Sequence, residues 1–188
     1  KFRQLDSKCP GHPEYRWTSG IECTTGPLGQ GVATSVGMAI AREWMAQYFN
    51  RPEFEMIGQD VYALCGDGCM MEGISSEAAS LAGHLGLDNL CWIYDSNTIT
   101  IEGHTELAFS ENVAERFRGY GWHIVHVPDA NDRRRVREAR QEFKDAQARP
   151  TLIIVNSIIG YGAPDMQGTA KIHSDALGAD EVRKTKAF

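Results

Sequence analysis

An aspartate between two glycines, Gly66-Asp67-Gly68, closes the apolar run Val61-Tyr62-Ala63-Leu64-Cys65, and thirty residues after Asp67 an asparagine, Asn97, ends the tail Tyr94-Asp95-Ser96-Asn97 of a second apolar run. If the two runs are neighbouring strands, a carboxylate and an amide oxygen reach one point at the sheet edge, where parallel sheets hold their ligands. With a main-chain carbonyl near Ile99, two phosphate oxygens and a water, they would complete the six-oxygen shell of Mg²⁺; Ca²⁺ would also fit. A carboxylate alone would repel a diphosphate, so a bridging cation is chemically expected. A helix beginning just after Gly68 would aim backbone N–H groups at phosphate, and Gly68 would let the chain pass close to it. The same residues also read as an ordinary turn before an acidic helical turn, and Asp95-Ser96-Asn97-Thr98 as a turn in its own right. Neither the GxGxxG fingerprint nor the GxxxxGK[ST] loop occurs.

Other residues have chemical potential of their own. Gly26-Pro27-Leu28-Gly29-Gln30-Gly31 exposes backbone groups that could grip a planar heterocycle, or it is simply the entry to a helix. His12, in a loop between Pro10 and Pro13, and His173, in a late polar loop, could each act on a substrate hydroxyl or bind phosphate; each could equally be only exposed. His84, His123 and His126 read as structural, while His104 closes a Glu102-Gly103-His104 loop just after Asn97. Arg133-Arg134-Arg135 opens a helix dense in Glu and Arg and reads as a solvated face. Cys65 and Cys69 straddle the GDG run without a second pair, so no zinc site is expected. No serine stands in a nucleophile elbow, and no cysteine has a base at a recognisable spacing.

The elements that must place these groups follow from periodicity and breakers. Residues 1–28 form an irregular loop region for substrate and cofactor. A helix is expected from Gln30 to Phe49, with Val32, Val36, Ala39, Ile40, Trp44 and Tyr48 at spacings of three and four. Strands are expected at Val61–Cys65, Leu90–Tyr94, Trp122–Val127 and Thr151–Val155, with a short extended piece at Ile99–Ile101. Between them come a helix from Glu72 to Leu85, C-capped by Gly86, and one capped by Ser110 that ends near Arg118. A charged helix, capped by Asn131 or Asp132, ends near Gln147, with a buried stripe of Val136, Ala139, Phe143 and Ala146. After the loop Gly160-Tyr161-Gly162-Ala163-Pro164, a last helix runs from Ala179 into Lys184. Four strands alternating with helices predict a three-layer α/β/α fold with a mostly parallel sheet.

The 188 residues suffice for one domain with a sizeable core. A net charge of −6 argues against a nucleic-acid partner. No apolar run reaches transmembrane length, so no membrane partner is expected. Five cysteines without a paired framework suggest reduced, mostly buried thiols and a cytoplasmic setting. The first residues lack the form of a domain start, and the fold is expected to be incomplete at its N-terminus.

Several runs occur together: Phe2-Arg3-Gln4-Leu5, Gly11-His12-Pro13-Glu14, Thr24 to Gly31, Gly66 to Ser75, Ser80-Leu81-Ala82-Gly83, Asn97, Ile101-Glu102-Gly103-His104, Tyr120-Gly121-Trp122-His123 and Ile159-Gly160-Tyr161-Gly162. With them the chain resembles the transketolase family over residues 1–188. The resemblance implies the thiamine-diphosphate-binding fold, with the chain as one partial diphosphate-binding domain, the central and C-terminal portion of that domain. It implies that Asp67, Asn97 and the Ile99 carbonyl hold Mg²⁺ or Ca²⁺ and that Gly68 meets the diphosphate. Gly26 and the Leu28 main chain would meet the aminopyrimidine, the Leu28 and Ile101 side chains would flank the rings, and Ile159 would lie near the cofactor. His12 and His173 are the implied catalytic histidines, the first on the donor sugar's hydroxyls, the second on the diphosphate and substrate. Glu72 would sit at a subunit interface and couple to the partner's activating glutamate.

The implied reaction is reversible transfer of a two-carbon ketol unit from xylulose 5-phosphate to ribose 5-phosphate by a homodimer or by complementary subunits. The activating glutamate would belong to a domain outside these residues, so the 188-residue chain alone is expected to be inactive. A non-catalytic or split-subunit cofactor-binding module, or a relative such as dihydroxyacetone synthase, are the alternatives. One departure stands out: Ser174-Asp175 follow His173 where the family commonly has glycine, placing a negative charge near a phosphate-handling loop.

Overall fold

The computed structural model describes residues 3–146 and 148–188. In chain order its elements are α1 (Gln30–Phe49), β1 (Val61–Gly66), α2 (Asp67–Met71), α3 (Gly73–Leu85), β2 (Leu90–Ser96), β3 (Ile99–Thr100), β4 (Gly103–His104), α4 (Val113–Gly119), β5 (His123–Val127), α5 (Arg133–Asp145), β6 (Thr151–Asn156), α6 (Lys171–Ser174) and α7 (Gly178–Ala187). Four strands form one sheet in the order β1-β2-β6-β5, and every pairing in it is parallel. β3 and β4 make a separate antiparallel hairpin. Residues 3–28 contain neither helix nor strand.

The central strands are buried on both faces, which is why β2 begins Leu90-Cys91-Trp92 and β6 reads Thr151-Leu152-Ile153-Ile154 without polar alternation at its centre. The chain steps one way from β1 to β2 to β5, then back to β6. Right-handed crossovers therefore put the connecting helices on opposite faces. One core gathers Val32 and Val36 of α1, Ala79 and Ala82 of α3 and Phe117 of α4 against Leu90, Trp92 and Leu152. The other sets Ala139 and Phe143 of α5 against Cys91, Val125 and Ile153. Trp92 is fully buried; its Nε1 donates to Ser35 Oγ at 2.9 Å, and its ring lies 4.7 Å from that of Trp122. Trp92→Ala would cost about 3–5 kcal/mol through lost burial and the cavity left behind.

The structure departs from the sequence expectations at several points. Of the proposed α1 stripe, Val32, Val36 and Ala39 are buried, but no helix residue beyond Ala39 is. Trp44 and Tyr48 are each 62% exposed and stack on one another, because nothing among the described residues covers their face of the helix. The helix expected from Glu72 to Leu85 is present as α3, one residue shorter at its start, and a further short helix precedes it. Asp67–Met71 forms its own short helix, and Glu72 is extended before α3 begins at Gly73. Gly86 does close α3, in the left-handed conformation.

Asn112, not Ser110, caps α4, accepting from the Glu115 N–H, with the Asn three residues before the Glu as the local capping signal. Asp132 caps α5 by accepting from the Arg134 and Arg135 N–H groups, and these bonds hold its carboxyl below the usual range. Ala139 and Phe143 are buried, but Val136 is 40% exposed and Ala146 lies past the helix end and only half-buried, because only the positions directly over the sheet lose water. Gln147, Lys1 and Phe2 lie outside the described residues. The final helix is longer than expected, and α6 was not expected at all, so His173 stands on a helical turn rather than in a loop. Two thiols, Cys65 and Cys91, are buried; Cys9 is exposed, and Cys23 and Cys69 are intermediate, which corrects the expectation of mostly buried cysteines.

Candidate functional site

β1 and β2 pair with Gly66 opposite Asp95, so Asp67 and Asn97 leave the sheet at the same edge, the carboxyl ends of the strands. The Asp67 side chain is buried. Its Oδ1 accepts from the Tyr94 hydroxyl at 2.6 Å; its Oδ2 accepts from the backbone N–H groups of Asn97 at 3.2 Å and Thr98 at 3.0 Å. No basic side chain among the described residues pairs with it. A buried carboxylate without a counter-charge is costly, and a cation at this edge would remove the cost. Asn97 Oδ1 accepts from the Ile99 N–H at 3.0 Å and keeps a second lone pair. No three His, Cys, Asp or Glu side chains converge among the described residues as a metal site. A cation here would therefore draw its remaining oxygens from the amide, the main chain and a phosphate ligand, which is the donor set Mg²⁺ accepts.

Two supports of Asp67 were missed in the sequence. Tyr94 sits on β2 opposite Cys65; burial and the Asp67 bond raise its pKa above the ordinary phenol value, so it remains a donor. Thr98 adopts φ 63°, an unfavourable conformation for a β-branched residue, and this turns its N–H onto Asp67. Neither has a sequence signature, since each is defined by what it meets across the sheet edge.

A cavity of about 590 Å³ opens beside this edge and collects most of the expected residues. Asp67, Gly68, Asn97 and Ile99 line it together with Ile101 from the same hairpin as Ile99, Leu28 from the loop before α1, and Ile159 and His173 from the chain after β6; Glu72 completes the set. Leu28 and Ile101 are 54% and 62% exposed, apolar groups left open to solvent at a cavity. A Cβ on Gly68 would stand 3.0 Å from Leu28 Cδ1, so the missing side chain also makes room for Leu28.

His12 and Gly26 do not line that cavity. They line a neighbouring one of about 140 Å³, which shares Leu28 and Cys69 with it, and the His12 ring lies against Gly26. Gly29 begins α1 at φ 78°, where any side chain would fall within 3 Å of Ile74, Glu72 and Ser75; this close approach seats the Gly26–Gly31 run against α3. His104, ambiguous in the sequence, lines the larger cavity. Asp175 does not: it is exposed and its N–H closes α6 on Lys171 O, so its charge is not among the groups lining the cavity.

Comparison with known proteins points to one family. The family described as "Transketolase, thiamine diphosphate binding domain" matches residues 1–188. A transketolase from Geobacillus stearothermophilus is 53% identical over 186 residues, a match that takes in 99% of this chain and 28% of that protein. Among solved structures, a transketolase from Leishmania mexicana superposes with a TM-score of 0.95 at 45% identity, over 99% of this chain and 28% of that one. A transketolase from Pichia stipitis in complex with sedoheptulose 7-phosphate gives a TM-score of 0.95 at 48% identity, over 100% of this chain and 28% of that one. The chain thus spans 28% of the length of these relatives.

Proposed function

The chain belongs to the transketolase family, and on that premise we propose that it forms the metal- and diphosphate-binding part of an enzyme that moves a two-carbon ketol unit from a ketose phosphate, such as xylulose 5-phosphate, to an aldose phosphate, such as ribose 5-phosphate. The observation that carries this reading is the convergence of a buried Asp67, paired with no basic side chain among the described residues, with Asn97, Gly68 and His173 around one cavity at the strand ends.

Thiamine diphosphate, when bound, supplies a nucleophilic carbon that can take up the two-carbon unit. The residues fit it. Asp67, the Asn97 side chain and the Ile99 carbonyl hold Mg²⁺ or Ca²⁺, and Gly68 and His173 meet the diphosphate. Gly26 and Leu28 meet the aminopyrimidine, with Leu28, Ile101 and Ile159 excluding water from the rings. His12 and His173 orient substrate hydroxyls and move protons at them. Glu72, exposed at the junction of α2 and α3, contacts the second subunit of a homodimer. Residues 1–188 act as one partial diphosphate-binding domain, with 1–28 as its substrate loop. Five free thiols support a reducing, cytoplasmic compartment. No helix among the described residues is long and apolar enough to cross a membrane.

The test is ketol transfer from xylulose 5-phosphate to ribose 5-phosphate with thiamine diphosphate and Mg²⁺. The intact protein turns over, and the 188-residue chain alone does not. Turnover by the isolated chain would refute the need for a glutamate from another domain. An intact protein that binds the cofactor without turnover would favour the second reading, a non-catalytic or split-subunit cofactor-binding module. Use of formaldehyde as the preferred acceptor would favour dihydroxyacetone synthase.

A further inference from the structure

His173 and Ile159 reach the cavity from a segment with no place in the sheet. After β6 the chain leaves through residues 157–170 and returns as α6 and α7. The base of this loop is closed by the Gly168 N–H on Ile159 O at 2.9 Å, and its turn by the Gly162 N–H on Gln167 Oε1 at 3.0 Å. Its middle is fixed from outside. Glu181, in the first turn of α7, is only 6% exposed, and its Oε1 accepts from the Asp165 backbone N–H at 2.8 Å. Ala163, two residues before Asp165, is 1% exposed, and the Tyr161 ring packs edge-on against Phe188 at the far end of α7. A carboxylate is seldom buried merely to pack, and this one holds a main-chain donor of the loop that carries Ile159.

We infer that Glu181 is a positioning residue: through the Asp165 N–H it docks the loop onto α7, and so sets Ile159 and His173 at the cavity. The inference rests on the reading of that cavity as the thiamine diphosphate site. What matters is an acceptor oxygen at this reach, not its charge. Glu181 touches no group of the cavity itself.

The intact protein is compared as wild type, Glu181→Asp and Glu181→Gln. Aspartate keeps the charge but withdraws the carboxylate by one methylene; glutamine gives up the charge but keeps an oxygen at the same reach. Calorimetry with Mg²⁺ present should find thiamine diphosphate bound about tenfold more weakly by Glu181→Asp, the scale of one buried hydrogen bond left unmade. Glu181→Gln should stay within about threefold of wild type, since a neutral acceptor loses only part of the bond. In Glu181→Gln, kcat at saturating cofactor stays near wild type, while in Glu181→Asp it falls too, because His173 is displaced with the loop. Hydrogen exchange of the free protein should show the Asp165 amide losing protection in Glu181→Asp while the β6 amides keep theirs. Unchanged cofactor binding or unchanged Asp165 protection in Glu181→Asp overturns the inference, as does weaker binding by Glu181→Gln than by Glu181→Asp. A wild-type protein that fails to bind thiamine diphosphate overturns the functional reading itself, a result distinct from the other three.

Discussion

The Tyr94 hydroxyl donates to Oδ1 of Asp67 across 2.6 Å, with both side chains buried at the ends of adjacent strands. The bond fixes the carboxylate's rotation and leaves Oδ2 to the Asn97 and Thr98 amides. Tyr94→Phe removes it without changing the shape of the core. Cation-dependent retention of thiamine diphosphate should weaken roughly tenfold, as for other groups that orient a metal ligand. A Mg²⁺ titration of cofactor binding measures this; an unchanged midpoint would mean that Asp67 needs no such orientation.

Asp67→Asn should separate charge from shape. The amide oxygen can still accept from Asn97 and Thr98, and the amide nitrogen can donate to the Tyr94 oxygen. Without added cation the variant should melt no lower than wild type, because an unpaired buried charge has been removed. Cation-dependent cofactor retention after dialysis should be lost. Retention at the wild-type level would remove Asp67 from the ligand set.

Stability should fall at alkaline pH through buried neutral acids. Burial pushes the Cys91 thiol from 9.0 to about 12, with the Asp60 charge adding to the effect. The folded state therefore holds a proton that the unfolded state has released. The contribution is whole below pH 9.0 and is lost as pH rises towards 12. Tyr94, also raised by burial and by Asp67, acts in the same sense from its ordinary value of 10.0 upward. Cys91→Ala should flatten the loss of stability between these limits, as read from denaturant unfolding at successive pH values. An equally steep loss in the variant would exclude Cys91 as its source.

Gly160→Ala should dislodge α6. Gly160 has φ 66°, and an added Cβ would stand 1.9 Å from Ile172 Cδ1, beside His173. Cofactor affinity should drop while far-UV circular dichroism keeps its shape. Shortening the obstacle, in Gly160→Ala with Ile172→Ala, should recover part of the affinity; the left-handed backbone still costs about 1 kcal/mol. If the double variant binds no better than Gly160→Ala, the clash is not the cause.

Much of the fold is legible in local pattern. The four apolar runs become the four strands, each within two residues of its expected bounds; the central two, β2 and β6, are the most continuously apolar because they are buried on both faces. α1 has the expected ends, yet its Trp44 and Tyr48 are open to solvent: periodicity reports that a face exists, not whether anything covers it. Ser110 and Asn112 are both competent caps, and the choice fell to Asn112, whose spacing to Glu115 suits the first helical turn. α2 and α6 are too short to show a period.

The chemistry available at the strand ends is written in the residue order alone. A Gly-flanked aspartate and an asparagine thirty residues later are residue types and a spacing, and both survive without any knowledge of neighbours. Which groups meet depends on how the strands and helices pack. Parallel pairing in register brought Tyr94 beneath Asp67, the return of the chain after β6 brought His173 and Ile159 to the same cavity, and the packing at Gly26 left His12 in the smaller one beside it. These are contacts between segments distant in sequence, set by strand order and by which helix buries which face, and no local propensity encodes them.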